Sequence, residues 1–165
     1  MRRFQVGCAV ALLAGQAWAD CGADQLVMTC RIDGKTTAVH LCQGPDSVRY
    51  RYGTPGKSAD LVLTSTLAEL EYLPWNGIGR SIYEEVTFRN AGYAYVVWAA
   101  LDRQITEDDP GEQLSGGVEV RQGDKVVASL ICEPFTIDAR IDALYEAKTR
   151  AGQCWEPTDF TWRRC

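Results

Sequence analysis

The chain has 165 residues, 46% of them hydrophobic, and carries 17 basic against 22 acidic side chains, net −5 with its one histidine neutral. That length is normally one domain with a real hydrophobic core. The acidic balance disfavours nucleic acid and anionic lipid as partners, because affinity for both is supplied by Lys and Arg.

Residues 1–19 read as a cleavable export signal. Arg2 and Arg3 form a basic start, Val6–Gly15 a short apolar run, and Ala17-Trp18-Ala19 supplies the small residues that a signal peptidase accepts. The apolar run is about ten residues, roughly half of a spanning helix, and no later segment is apolar enough to make a membrane span. A lipoprotein reading of Cys8 fails, since Gln5 stands where a lipobox would place leucine. Cleavage after Ala19 leaves 146 residues, 20–165, expected to form a single disulfide-braced domain in the periplasm or outside the cell. Loss of Arg2 and Arg3 leaves 15 basic and 22 acidic side chains, net −7, a charge that would suit a basic partner. Six cysteines remain: Cys21, Cys30, Cys42, Cys132, Cys154 and Cys165. An even number in an exported chain predicts three disulfides. With no Cys-x-x-Cys pair and His40 as the only histidine, a zinc site has little to build on.

In chain order, the body reads as short strands between turn signals. Leu26–Ile32 meets Lys35–Cys42 at Asp33-Gly34, a strong hairpin signal because both turn residues tolerate positive φ. Val48–Tyr52 breaks at Gly53-Thr54-Pro55-Gly56, and Asp60–Thr64 follows. Ile82–Phe88 turns at Asn90-Ala91-Gly92 into Tyr93–Trp98. Gly117–Val120 turns at Gln122-Gly123-Asp124 into Val126–Cys132. About eight strands in hairpins predict a mainly β fold, an antiparallel sandwich or barrel. One C-terminal helix is predicted near 136–150, where Ile137, Ile141, Leu144 and Tyr145 form one apolar stripe. Beyond it, Cys154 and Cys165 would close a short tail, a link worth roughly 3 kcal/mol in the chain-entropy model. A two-residue Asp33-Gly34 loop sets Cys30 opposite Thr37 and Cys42 on the other face of the ladder. That disfavours Cys30–Cys42 and leaves the connectivity of Cys21, Cys30, Cys42 and Cys132 open; the expected pairing is Cys42–Cys132 with Cys21–Cys30.

Catalytic templates fail on parts. No Gly-x-Ser-x-Gly is present, and His40 reads as a structural strand histidine rather than a base. Glu69, Glu71, Glu84, Glu85 and Asp102 could supply the carboxylate pair of a glycosidase, yet no motif fixes any two. Glu107-Asp108-Asp109 lacks the alternating spacing of a calcium loop and reads as a solvated acidic turn. No phosphate loop or dinucleotide fingerprint is present, and no cofactor or metal is expected. What remains is recognition chemistry. Trp75 lies in a Gly-flanked loop, and Trp155, Phe160 and Trp162 lie in the tail; large aromatic side chains of this kind dominate binding hot spots.

The order Tyr50-Arg51-Tyr52-Gly53, Phe88-Arg89-Asn90-Ala91-Gly92-Tyr93-Ala94-Tyr95, Gly117-Val118-Glu119-Val120 and Leu130-Ile131-Cys132 resembles a set of secreted proteobacterial β-domain proteins. The likeness covers about residues 30–132 and implies no activity. A fainter one is to the small periplasmic inhibitors of C-type lysozyme. Their Ser-Gly-x-x-Tyr motif is not matched, since Ser115-Gly116-Gly117-Val118 is followed by Glu119, so their mechanism does not transfer. The expected function is an exported, non-catalytic protein-binding domain, for instance an inhibitor of a basic envelope-directed enzyme. The alternatives are an envelope hydrolase using a carboxylate pair and a structural envelope component.

Overall fold

Alternating apolar residues set the course of the chain in a computed structural model that describes residues 21–104, 106, 108 and 111–165. The predicted export signal and most of the Glu107-Asp108-Asp109 loop lie outside the described residues. One antiparallel meander runs through β1 (Gln25–Arg31), β2 (Ala38–Gln43), β3 (Ser47–Gly53) and β4 (Leu61–Thr66). A second runs through β5 (Glu71–Leu73), β6 (Ser81–Asn90), β7 (Tyr93–Asp102), β8 (Gln113–Gln122) and β9 (Lys125–Ile131). Each sheet has five strands, the first completed by β10 (Asp138–Ala139) on the edge of β1. Helix α1 (Ala143–Arg150) and a terminal hairpin of β11 (Gln153–Glu156) and β12 (Thr161–Arg164) follow. The fold is mainly β and antiparallel with one C-terminal helix, as expected, and has twelve strands among the described residues rather than about eight.

The two sheets share one core. Met28, Val39, Leu41 and Tyr50 from the first meet Val86, Phe88, Val97 and Val118 from the second. Tyr50 spans the layers, its ring centroid 5.8 Å from Phe88 and 6.2 Å from Tyr95. The sheets are stitched where the chain changes layers. Ile32 bridges Cys132, Asp33 N–H donates to Ile131 O at 2.9 Å, and Glu133 N–H donates to Arg31 O at 2.8 Å. The other crossing, between β4 and β5, is held by a fully buried lysine. Lys148, 0% exposed, donates from Nζ to Leu67 O at 2.7 Å and to Leu70 O at 2.9 Å.

Two expectations are corrected. The helix starts at Ala143, not near 136, because Asp138 and Ala139 pair with Thr29 and Met28 and Arg140 N–H donates to Val27 O at 2.7 Å. The open edge of β1 gives these backbone groups partners that outweigh an extra helical turn. Ile137 and Ile141 still pack on the core, from outside the helix.

The disulfides are Cys21–Cys42, Cys30–Cys132 and Cys154–Cys165. The tail link is the expected one, whereas the expected Cys42–Cys132 and Cys21–Cys30 are not formed. The first hairpin closes with four loop residues, Ile32 N–H donating to Thr37 O at 2.9 Å, so Cys30 faces Val39 instead of Thr37. A shift of two residues keeps the faces unchanged, and Cys30 and Cys42 do lie on opposite ones. Cys30 points into the core and meets Cys132 of the other sheet. Cys42 takes Cys21, whose segment is tied down by Arg49 donating to Cys21 O at 3.1 Å and to Asp24 Oδ2 at 2.8 Å.

Candidate functional site

The inner face of the second sheet consists of rows of residues paired across β6, β7 and β8. In order they are Phe88–Tyr95–Val120, Val86–Val97–Val118, Glu84–Ala99–Gly116 and Ile82–Leu101–Leu114. The first two rows are bulky and apolar and fill the space between the sheets. The third offers a carboxylate and two of the smallest residues, and the filling stops there. Met28 occupies the gap at Gly116, where a Cβ would lie 2.9 Å from its Cε. Past Ala99 the mouth of the sandwich opens as a cleft of about 710 Å³, a size typical of ligand sites.

Ile82, Leu101 and Leu114 form the apolar floor of the cleft. Pro74 and Trp75, from the loop after β5, make one wall. Ile141, Asp142 and Tyr145, at the start of α1, make the facing wall, and Trp155 of β11 forms the lip. Three of these groups are joined by Glu84. Its carboxylate accepts from Tyr72 Oη at 2.6 Å, and the backbone N–H groups of Trp75 and Asp142 act on it as further donors to its charged form. Burial pushes the Glu84 carboxyl above the ordinary range, the charge of Asp142 adds to that, and the three donors oppose it. Burial, followed by the neighbouring Glu84 charge, drives the Tyr72 hydroxyl far upward, so it stays a proton donor. Asp142 stands at the N-cap of α1 without capping it by its side chain, and its carboxylate is exposed at the rim. Among the described residues, no Lys, Arg or His lines the cleft.

Trp75 is set in its wall by its own loop. Its Nε1 donates to Ile78 O at 3.2 Å, and the Arg103 guanidinium lies 5.0 Å from the ring centre. Arg103 in turn donates to Gly79 O at 2.5 Å and Arg80 O at 3.1 Å. One ring face packs on this cation while the indole also lines the cleft.

The four predicted recognition residues divide between two places. Trp75 and Trp155 line the cleft. Phe160, 59% exposed, and Trp162 line a separate hollow of about 450 Å³ with Glu69, Glu71 and Glu85. Trp162 packs on the core and donates from Nε1 to Tyr72 O at 2.8 Å. Trp155 connects the two places, 5.4 Å from the ring of Trp162 and 6.3 Å from Phe160.

Strand alternation sends Glu84 inward and Glu85 outward, so Glu84 stands apart from Glu69, Glu71 and Glu85, which share the second hollow. Glu71 is paired with Arg89 at 2.5 and 2.8 Å, Glu85 accepts from Tyr83 Oη at 2.7 Å, and Glu69 accepts from Thr66 Oγ1 at 3.0 Å. The acid that shares the cleft with Glu84 is Asp142, which the sequence reading passed over. Its position just ahead of a helical run is an N-cap signal that could have singled it out.

Among the described residues, no helix is long and apolar enough to cross a membrane, and no three His, Cys, Asp or Glu side chains gather as a metal site requires. Fold and site together define a disulfide-bonded antiparallel β protein with an aromatic, acid-bearing cleft at one mouth. No family model, curated protein or solved structure matches the chain.

Proposed function

We propose that the protein is an exported, non-catalytic protein-binding domain, and that the mouth cleft holds a segment of its partner. The observation that carries this reading is the cleft itself: an apolar floor between two aromatic walls, with a few polar groups, Glu84 and Asp142 among them. Glu84 supports binding over catalysis. Held by Tyr72 Oη at 2.6 Å, with the N–H groups of Trp75 and Asp142 favouring its charged form, it acts as an anchored charge and not as a free general base. The acidic net charge and the absence of any lining base favour a basic partner, and an inhibitor of a basic envelope-directed enzyme is one form of it. Three disulfides fit an oxidising compartment, of which the periplasm is the one the export signal suggests.

The test is capture from envelope extract on the immobilised chain, with Trp75→Ala as the control. A protein that is retained by the parent, lost by Trp75→Ala and bound again after purification supports the reading. A hydrolytic turnover of peptidoglycan fragments that Glu84→Gln abolishes would replace it with the carboxylate-pair enzyme.

A further inference from the structure

Among the described residues the cleft is lined by two carboxylates and no basic side chain, and the two carboxylates differ in what they have left to offer. Glu84 accepts from Tyr72 Oη at 2.6 Å, and the backbone N–H groups of Trp75 and Asp142 further favour its charged form. Asp142 makes no capping bond and stands at the rim of the same cleft. Two negative groups therefore share a space walled by the rings of Trp75 and Tyr145, without a cation among the lining residues. Arg103 stacks on Trp75 but is not a lining residue, and the buried Lys148 is spent on Leu67 O and Leu70 O.

We propose that the occupant of the cleft is a lysine side chain of the partner, its ammonium between Glu84 and Asp142 and its methylenes on Ile82, Leu101 and Leu114. This rests on the protein-binding reading and names the anchor it uses. Charge complementarity selects a cation, and the aromatic walls reinforce it, because a cation is attracted to a ring face. The geometry of the acceptors selects ammonium over guanidinium. Arginine binds carboxylate best through two parallel hydrogen bonds, whereas an ammonium is a compact charge satisfied by single acceptors on several groups. Glu84, already holding Tyr72 Oη, offers single acceptor sites, and Asp142 supplies the rest. A neutral aliphatic chain would reach the same floor but bring no charge to offset the two carboxylates.

The probes are three capped tripeptides, acetyl-Leu-Lys-Leu-amide and its norleucine and arginine counterparts, titrated against the whole chain at low salt with tryptophan fluorescence as the readout. The lysine peptide should bind at least about tenfold more tightly than the norleucine peptide, the scale of one well-placed charge interaction, and more tightly than the arginine peptide. Asp142→Asn, at an exposed position, should fold as the parent does and lose most of the lysine preference while leaving norleucine binding unchanged. Equal binding of lysine and norleucine peptides would overturn the lysine assignment while leaving the cleft a protein-binding site. Tighter arginine binding, or no binding by any of the three, would also overturn it. Failure of the protein-binding reading itself is read separately, in the capture experiment with Trp75→Ala.

Discussion

Trp162 donates its indole Nε1–H to the carbonyl of Tyr72 at 2.8 Å while the two rings stack with centroids 5.9 Å apart. Through this pair the terminal hairpin is fastened to β5, and Lys148 adds a cation 5.1 Å from the same indole. Trp75 and Trp162, which the sequence grouped as one kind of recognition residue, are therefore unequal. Trp162→Ala should cost about 3 kcal/mol, the range for a packed aromatic, and lower the melting temperature by roughly 6–12 °C. Trp75→Ala, which gives up a half-exposed ring and one hydrogen bond, should cost no more than about 1.5 kcal/mol. Thermal melts of both variants decide this, and a Trp75→Ala protein melting as low as Trp162→Ala would make the cleft wall a packing element.

Burial holds the Lys148 ammonium down at about 8, from 10.5. Between those values the unfolded chain retains a proton that the folded chain has released, so stability rises with pH across that window. The contribution is fully present above pH 10.5 and lost as pH falls through about 8. Lys148→Met leaves the carbonyls of Leu67 and Leu70 without their donor, at a cost of about 2 kcal/mol near pH 7. Urea unfolding of parent and variant from pH 7 to 10.5 should show the gap widen with pH. A constant gap would mean that the lysine is not the titrating group.

Glu84 behaves in the opposite sense, since its carboxyl is raised by burial and by Asp142. A raised carboxyl contributes stability that is present below the ordinary carboxylate pKa and lost as pH rises through the higher folded value. In Glu84→Gln that loss should disappear between about pH 4.5 and neutrality, the ordinary carboxylate value marking its lower edge. Denaturant midpoints measured across this range test it; an unchanged slope in the variant would show that burial does not strain the charge.

The disulfide map can be read chemically. Non-reducing digestion should yield Cys21 linked to Cys42 and Cys30 linked to Cys132, with no Cys21–Cys30 product. Removing Cys30 and Cys132 together opens a link across 102 residues, for which the chain-entropy scale gives about 4–5 kcal/mol. A double Cys→Ala variant as stable as the parent would contradict that account.

Much of the fold was legible because the signals were local. Asn90-Ala91-Gly92 predicts a tight turn, and Asn90 does face Tyr93 with Ala91 and Gly92 at φ 48° and 82°. The strands alternate as their apolar residues do. What could not be read were elements whose reason is distant in the chain. β10 is two residues long and exists because β1 has a free edge, and β5 has three residues and leans on β6. The cleft was half legible. Trp75 and Trp155 announced themselves by type, but Ala99 and Gly116 create the space by being small, and a small residue in a strand carries no label. Nor did the sequence reveal that Asp142 would stand across from Glu84, since their proximity depends on how the layers meet.

The crossing of the first two disulfides constrains how the chain can be oxidised. Thiols joined in the order they occur would link Cys21 to Cys30, whereas the native partner of Cys30 lies 102 residues further on. A chain that becomes available N-terminus first thus presents Cys21, Cys30 and Cys42 together well before Cys132 arrives. Quick oxidation at that stage favours a wrong link, because nearby thiols close the smallest loops at the lowest entropic cost. Correct maturation requires either slow oxidation or thiol exchange that reopens the premature link, on a timescale of seconds to hours. The yield of native protein should therefore be governed by disulfide isomerisation more than by the formation of the sheets.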